Sequence, residues 1–246
     1  VSRLDWQIGT VTAITPDTPR VKTFTLSLSR WTAHRAGQHY DLRLSAADGY
    51  QTERSYSIAS PPEQTGEVAL TVELIADGEV SGYLHEGVAV GDQLELRGPI
   101  GGYFVWPAGA LAAPLLLVAG GSGVVPLMAM LRHRQRAKLP NPAVLLFSIR
   151  TPEEVIYQQE LEAMAAADPA FTLLLTYTRQ APAGWTGHHR RVDAAMLAEA
   201  VALLPGAPQC YVCGPTGLVE SVATLLQAQG LPDDAIRTER FGPTGN

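Results

Sequence analysis

The stretch "LLLVAGGSGVVPLMAML" (residues 115–131) decides how the second half of this chain is read. Leu115 to Ala119 form an unbroken apolar run, the pattern of a strand covered on both faces. Gly120, Gly121, Ser122 and Gly123 follow, and Pro126 stands where a helix opens. Glycines let the backbone approach a ligand, and a helix N-terminus offers unpaired N–H groups with partial positive charge. The order therefore reads as strand, phosphate-binding turn, helix, although a plain tight turn uses the same letters. It is neither G-x-G-x-x-G nor a P-loop, and Val124 fills the last place of G-x-S-x-G, which argues against a hydrolase elbow.

Similar apolar runs recur at "AVLLFSI" (143–149), "FTLLLTYT" (171–178) and, shorter, "CYVCG" (210–214). Helical patterns lie between them, at about 125–136, 153–167, 193–204 and 216–229. This alternation predicts a doubly wound parallel sheet, in which ligands sit beyond the carboxyl ends of the strands. Those ends carry Ser148 and Arg150, Thr178 and Arg179, and the small residues Cys213, Gly214 and Pro215. An arginine there is either a fork for a phosphate or an ordinary solvated side chain.

The first hundred residues keep a different rhythm. "FTLSLS" (24–29), "YDLRLS" (40–45), "VALTVEL" (68–74) and "QLELRG" (93–98) alternate at period two, as half-buried antiparallel strands do. "ERSYSIAS" (53–60) alternates too, with Tyr56 and Ile58 on one face, and "SGYLHEG" (81–87) reads as one short helix. Two domains follow: an antiparallel β-barrel over 1–108 and an α/β doubly wound sheet over 114–246, divided in "WPAGALAAP" (106–114).

The chain has 246 residues, a net charge of −6 and 17% charged residues, a poor composition for nucleic-acid or anionic-membrane binding. No apolar run approaches the roughly 20 residues needed to span a bilayer, and "VSRLDWQIGT" has no signal core, so a cytoplasmic protein is expected. Cys210 and Cys213 are the two cysteines. They lack the further ligands that zinc or an all-cysteine iron–sulfur cluster needs, so no metal is expected. The basic run "RHRQRAK" (132–138) is a contact for an acidic partner or a solvated helix face.

Taken in order, the motifs resemble the ferredoxin–NADP reductase superfamily over nearly the whole chain. "RSYSIAS" looks like its R-x-Y-S flavin motif, "GEVSGYLHE" its G-x-x-S segment, and "LRGPIGGYF" its G-P-x-G strand end. "VAGGSGVVPLMAML" resembles its pyridine-nucleotide loop, "YVCGPTGLVES" its C-G-P segment, and "TERFGPTG" its acidic–x–aromatic ending. The resemblance implies an FAD-containing, NAD(P)H-dependent oxidoreductase with the flavin between a barrel and a nucleotide domain. It places Arg54 on the flavin phosphate, Tyr56 and Ile58 beside the ring, and Ser57 at N5. Gly78, Val80 and Ser81 would hold the pyrophosphate, Val72 and Leu74 would line the ring, and His39 and Tyr40 would lie nearby. The nicotinamide nucleotide would use Gly121, Ser122, Gly123, Gly214 and Pro215, with Cys213 near the reacting carbon. Glu239 could relay a proton, and Phe241 matches the tail that reaches the flavin in relatives, although here the chain runs on past it. Thr178 with Arg179, and Arg150 second, would take the 2′-phosphate, which favours NADPH while leaving NADH open. No acidic residue for ribose hydroxyls is evident at these positions. The chain carries no ferredoxin domain, so electrons are expected to leave to a separate ferredoxin, flavodoxin or oxygenase component. The alternatives are a reductase of diffusible flavin and an electron-transfer subunit of a larger complex.

Overall fold

A computed structural model describes residues 4–107 and 113–242. The chain divides into two compact units, Val1–Pro107 with Met128–Ala137, and Ala108–Leu127 with Lys138–Asn246. The boundary expected within 106–114 falls largely on residues 108–112, outside the described residues.

The first unit is a six-stranded antiparallel sheet. Its strands are β1 (Gln7–Thr18), β2 (Val21–Leu28), β3 (His39–Ser45), β4 (Gln51–Ser57), β5 (Glu67–Glu73) and β6 (Gln93–Ile100). They lie in the order β4-β3-β6-β1-β2-β5. Ile58, just past β4, bridges Leu70 of β5, and the N–H of Ala59 donates to the Ala69 carbonyl at 2.8 Å. The outermost strands therefore meet and the sheet curls into a barrel. Inward positions Phe24, Leu26, Tyr40, Leu42, Ile58, Leu70 and Leu96 fill its core. The short helix α1 (Glu79–Glu86) lies against β4 and β5 and adds Val80 and Leu84 to that core.

Strand β1 was not legible as a strand, because its inward positions include Gln7 and Gly9 beside Val11. The small residue is a packing requirement. A Cβ on Gly9 would stand 2.6 Å from Leu96 Cδ1.

The second unit holds five parallel strands: β7 (Leu115–Gly120), β8 (Ala143–Ile149), β9 (Phe171–Tyr177), β10 (Gln209–Pro215) and β11 (Ile236–Phe241). Every residue of β7 and β8 is buried, as their unbroken apolar runs require. The helices are α2 (Val124–Arg136), α3 (Gln158–Ala167), α4 (Ala194–Ala202) and α5 (Thr216–Ala228). On one face Leu116, Val118, Val144, Leu146 and Val212 pack with Met196 and Leu197 of α4 and Val219, Val222 and Leu226 of α5. Asp193 caps α4 by accepting the Met196 N–H at 2.9 Å.

The strand order β11-β10-β7-β8-β9 carries the functional consequence. The chain builds outward from β7 through β8 to β9, then crosses to the other side of β7 for β10 and β11. The carboxyl ends of β7 and β10 thus flank a switch point, the place where open parallel sheets bind ligands.

One helix differs from expectation. The pattern over 153–167 predicted continuous helix, but α3 begins only at Gln158. Pro152–Glu154 form a separate 3-10 turn, Val155 is extended, and Tyr157 takes φ +60°.

Candidate functional site

In the first unit, β3 and β4 set the side chains. Tyr40 pairs with Tyr56 and His39 with Ser57, and residues opposite each other in an antiparallel ladder share a face. Tyr40 and Tyr56 point inward. Burial pushes both phenols up to about 12, and the Tyr40 hydroxyl has no hydrogen-bond partner among the described residues. Ser57 and His39 share the opposite face, where Asp41 Oδ1 lies 4.0 Å from His39 Nε2. Burial lowers the His39 pKa, partly offset by Asp41. Arg54 is exposed and donates from Nη1 to its neighbour's carbonyl on Glu53 at 2.6 Å. Arg54 and Tyr56 therefore share a face that Ser57 does not.

The α1 N-terminus lies on the same side of the barrel as β4 and β5. Gly78 precedes the helix, and no side chain caps its first turn. Val80 is buried, while the Ser81 hydroxyl donates to the Gly78 carbonyl at 3.2 Å and accepts the Ile75 N–H at 3.1 Å. An uncapped helix start and an exposed arginine are each suited to a phosphate. Val72 lies in the core, and its carbonyl accepts from His85 Nε2 at 3.0 Å. The Leu74 N–H donates to the Arg20 carbonyl at 2.8 Å, and its carbonyl accepts from Arg20 Nη2 at 2.7 Å. The backbone expected to line a ring is thus already hydrogen-bonded within the barrel.

The run "RHRQRAK" is engaged within its own unit along its first turn, while Gln135, Arg136 and Lys138 are exposed. Arg132 donates to the Ala59 carbonyl at 2.8 Å, His133 pairs with Glu63, and Arg134 is only 5% exposed.

In the second unit, the switch point gathers the two glycine segments. Gly121 takes φ +53° with open space where a Cβ would stand. A Cβ on Gly123 would overlap the Cys213 carbonyl, and one on Gly214 would lie 3.1 Å from the Gly120 nitrogen. The turn Gly121–Gly123 therefore rests directly on the backbone of Cys213 and Gly214. Neither it nor the start of α5 after Pro215 has a side-chain cap.

Strand β11 was not expected, and it places the tail. Glu239 pairs with Cys213 and Phe241 with Pro215 in parallel register. Cys213 Sγ lies 3.8 Å from Glu239 Oε2. Burial, then the neighbouring carboxylate, push the Cys213 thiol well up. Burial raises the Glu239 carboxyl to about 7, opposed by the thiol hydrogen bond.

The ends of β8 and β9 bring the two arginines together. The N–H groups of Arg179 and Gln180 both donate to the Arg150 carbonyl at 3.0 Å, and Thr178 Oγ1 donates to the Ile149 carbonyl at 3.2 Å. Arg179 is exposed. Arg150 is not alone: its Nε donates to Glu154 Oε2 at 2.8 Å. The arginine positions themselves carry no acidic residue, and Glu154 stands four residues past Arg150.

Among the described residues no group of histidines, cysteines and carboxylates is placed to hold a metal ion. No helix there is long and apolar enough to cross a membrane.

An oxidoreductase FAD-binding domain matches residues 7–105, and an oxidoreductase NAD-binding domain matches 117–224. Ferredoxin–NADP reductase B of Sorangium cellulosum is 34% identical over 212 residues, covering 84% of each chain. The glycine betaine monooxygenase reductase subunit of Chromohalobacter salexigens is 32% identical over 216 residues, or 85% of this chain, which spans only 56% of that relative's length. The flavohem-like FAD/NAD-binding domain of a Vibrio cholerae nitric oxide dioxygenase shares the fold, with TM-score 0.84 and 23% identity over 98% of this chain and all of its own. With a barrel matched to FAD and a parallel sheet matched to a nicotinamide nucleotide, in that order, the chain belongs to the ferredoxin–NADP reductase superfamily.

Proposed function

We propose that this chain is a flavoprotein reductase that takes hydride from NAD(P)H and passes electrons to a separate acceptor protein. The observation that carries the reading is the Gly121–Gly123 turn seated on Cys213–Gly214 at the switch point of the parallel sheet. A nucleotide diphosphate suits this open, uncapped turn. In the other unit, Arg54 and the α1 N-terminus would hold the FAD phosphates, Tyr56 and the backbone of Ile58 would flank the ring, and Ser57 would face N5. His39 and Tyr40 would line its surroundings, Val72 and Leu74 would contribute backbone, and Phe241 would reach toward it. The two domains would divide between residues 108 and 114.

FAD bound there would supply hydride and electron-transfer chemistry. The chain's own residues then orient and exclude. Cys213, small and uncharged at neutral pH, would admit a flat ring close to the reacting position. Glu239, with its pKa at about 7, would hold or release a proton at Oε2 beside the thiol. Thr178 and Arg179 would receive the 2′-phosphate of NADPH, with NADH also serving as donor. The acceptor is an oxygenase component, a ferredoxin or a flavodoxin. The oxygenase reading is supported by the relative named as a monooxygenase reductase subunit. The reaction belongs in the cytoplasm, where NAD(P)H is regenerated.

The test is an absorbance spectrum of the protein as purified and after FAD is added, followed by anaerobic titration with NADH and NADPH. The expected result is a flavin spectrum bleached by stoichiometric nucleotide. A protein that binds no FAD, or whose FAD neither nucleotide reduces, refutes the reading. A second expectation concerns Arg179→Ala. It should lower kcat/KM for NADPH roughly tenfold or more while NADH changes little. Equal losses with both nucleotides would remove Arg179 from the 2′-phosphate.

A further inference from the structure

We propose that Glu154 is a specificity-determining residue that holds the chain back from NADPH and admits NADH. The inference rests on the nucleotide-site reading above. Arg150 leaves the end of β8, beside the exposed Arg179 at the end of β9, and these two guanidinium groups are the natural receivers of a 2′-phosphate. Glu154 changes that arithmetic. The 3-10 turn Pro152–Glu154 carries its carboxylate back onto Arg150, where Oε2 accepts from Nε at 2.8 Å.

The pair has two effects. The guanidinium edge that would clasp a phosphate already holds a carboxylate, so a phosphate must displace or share it. The carboxylate also sets negative charge against the Arg150 guanidinium, and like charges set side by side discriminate strongly between ligands. A ribose 2′-hydroxyl meets neither obstacle, because it can donate to a carboxylate oxygen. In doubly wound nucleotide folds an acidic residue selects the ribose hydroxyl, and an arginine accommodates the phosphate. Here both stand at the end of the second strand of the nucleotide unit, and they neutralise each other. Arg179, which has no side-chain partner among the described residues, remains for the phosphate.

Glu154→Gln keeps the shape and removes the charge. The expected result is about a tenfold rise in the NADPH-to-NADH ratio of kcat/KM. Equilibrium binding of 2′,5′-ADP and of 5′-AMP, measured by calorimetry on the full chain, supplies a readout independent of turnover. The variant should bind 2′,5′-ADP more tightly and 5′-AMP no better. A double variant, Arg150→Gln with Glu154→Gln, should keep only the part of the gain that comes from lifting the carboxylate's repulsion. A ratio and a 2′,5′-ADP affinity within twofold of the parent in Glu154→Gln overturn the proposal. Failure of the wider reading is distinguishable: the parent would then reduce no flavin with either nucleotide, whereas failure here leaves reduction intact and selectivity unmoved.

Discussion

Gly123→Ala should lower kcat/KM for NAD(P)H by about 100-fold while leaving the FAD content unchanged. The added Cβ overlaps the carbonyl oxygen of Cys213, a main-chain atom with no rotamer by which to escape. Either the turn or the end of β10 must move by roughly 1 Å, and both line the same crevice; displacement on that scale is enough for such a loss. Overpacking of this kind also destabilises by about 1–3 kcal/mol. Gly121→Ala provides the contrast. Its Cβ meets nothing within 4 Å, so only the left-handed backbone at φ +53° is strained, at about 1–2 kcal/mol. Steady-state kinetics and the flavin-to-protein absorbance ratio check both variants. Parental kcat/KM in Gly123→Ala would show that the close approach of the two segments is not what positions the nucleotide.

Arg54→Ala has the second large effect, on the other cofactor. A charge-assisted hydrogen bond to a phosphate contributes about 1.5–3 kcal/mol, so FAD should bind roughly 10- to 150-fold more weakly. The fold itself should hardly notice, because Arg54 is exposed and, among the described residues, donates to an adjacent carbonyl. Melting in the absence of FAD should shift by an amount consistent with about 0.5 kcal/mol or less. Arg54→Lys should recover part of the affinity, since it restores charge without the fork. Fluorescence titration of FAD measures this. An unchanged dissociation constant in Arg54→Ala would remove the residue from the flavin phosphate.

The buried strands of the nucleotide unit were the most legible elements, because burial on both faces writes itself as an unbroken apolar run; β8 occupies the span read from "AVLLFSI". Elements with mixed faces were harder. β1 hides its inward side behind Gln7 and Gly9, and β11 is an edge strand whose Arg237, Thr238 and Arg240 carry no apolar period. The glycine turn and the C-G-P segment were each visible, but their contact was not, because it depends on a chain reversal between non-consecutive strands. Glu154 was missed for a local reason. Reading 153–167 as one helix turned it into a first-turn acid, whereas the break at Val155–Tyr157 folds it back onto Arg150. Ser57 stands with Arg54 and Tyr56 in the R-x-Y-S resemblance, and the pleat places it on the other face, beside His39.

The position of β4 at the margin of its sheet has a colloidal consequence. Along Gln51–Ser57 it pairs with β3 on one side, and it meets β5 only beyond its end, at Ile58. Its outer row of backbone groups lacks a second ladder among the described residues, and such a margin can recruit a neighbouring chain. Glu53 and Arg54, both exposed on that strand, are charges of the kind that keep like margins apart. The arginine proposed for the flavin phosphate is therefore also expected to discourage self-association, and light scattering belongs beside any titration of its alanine variant.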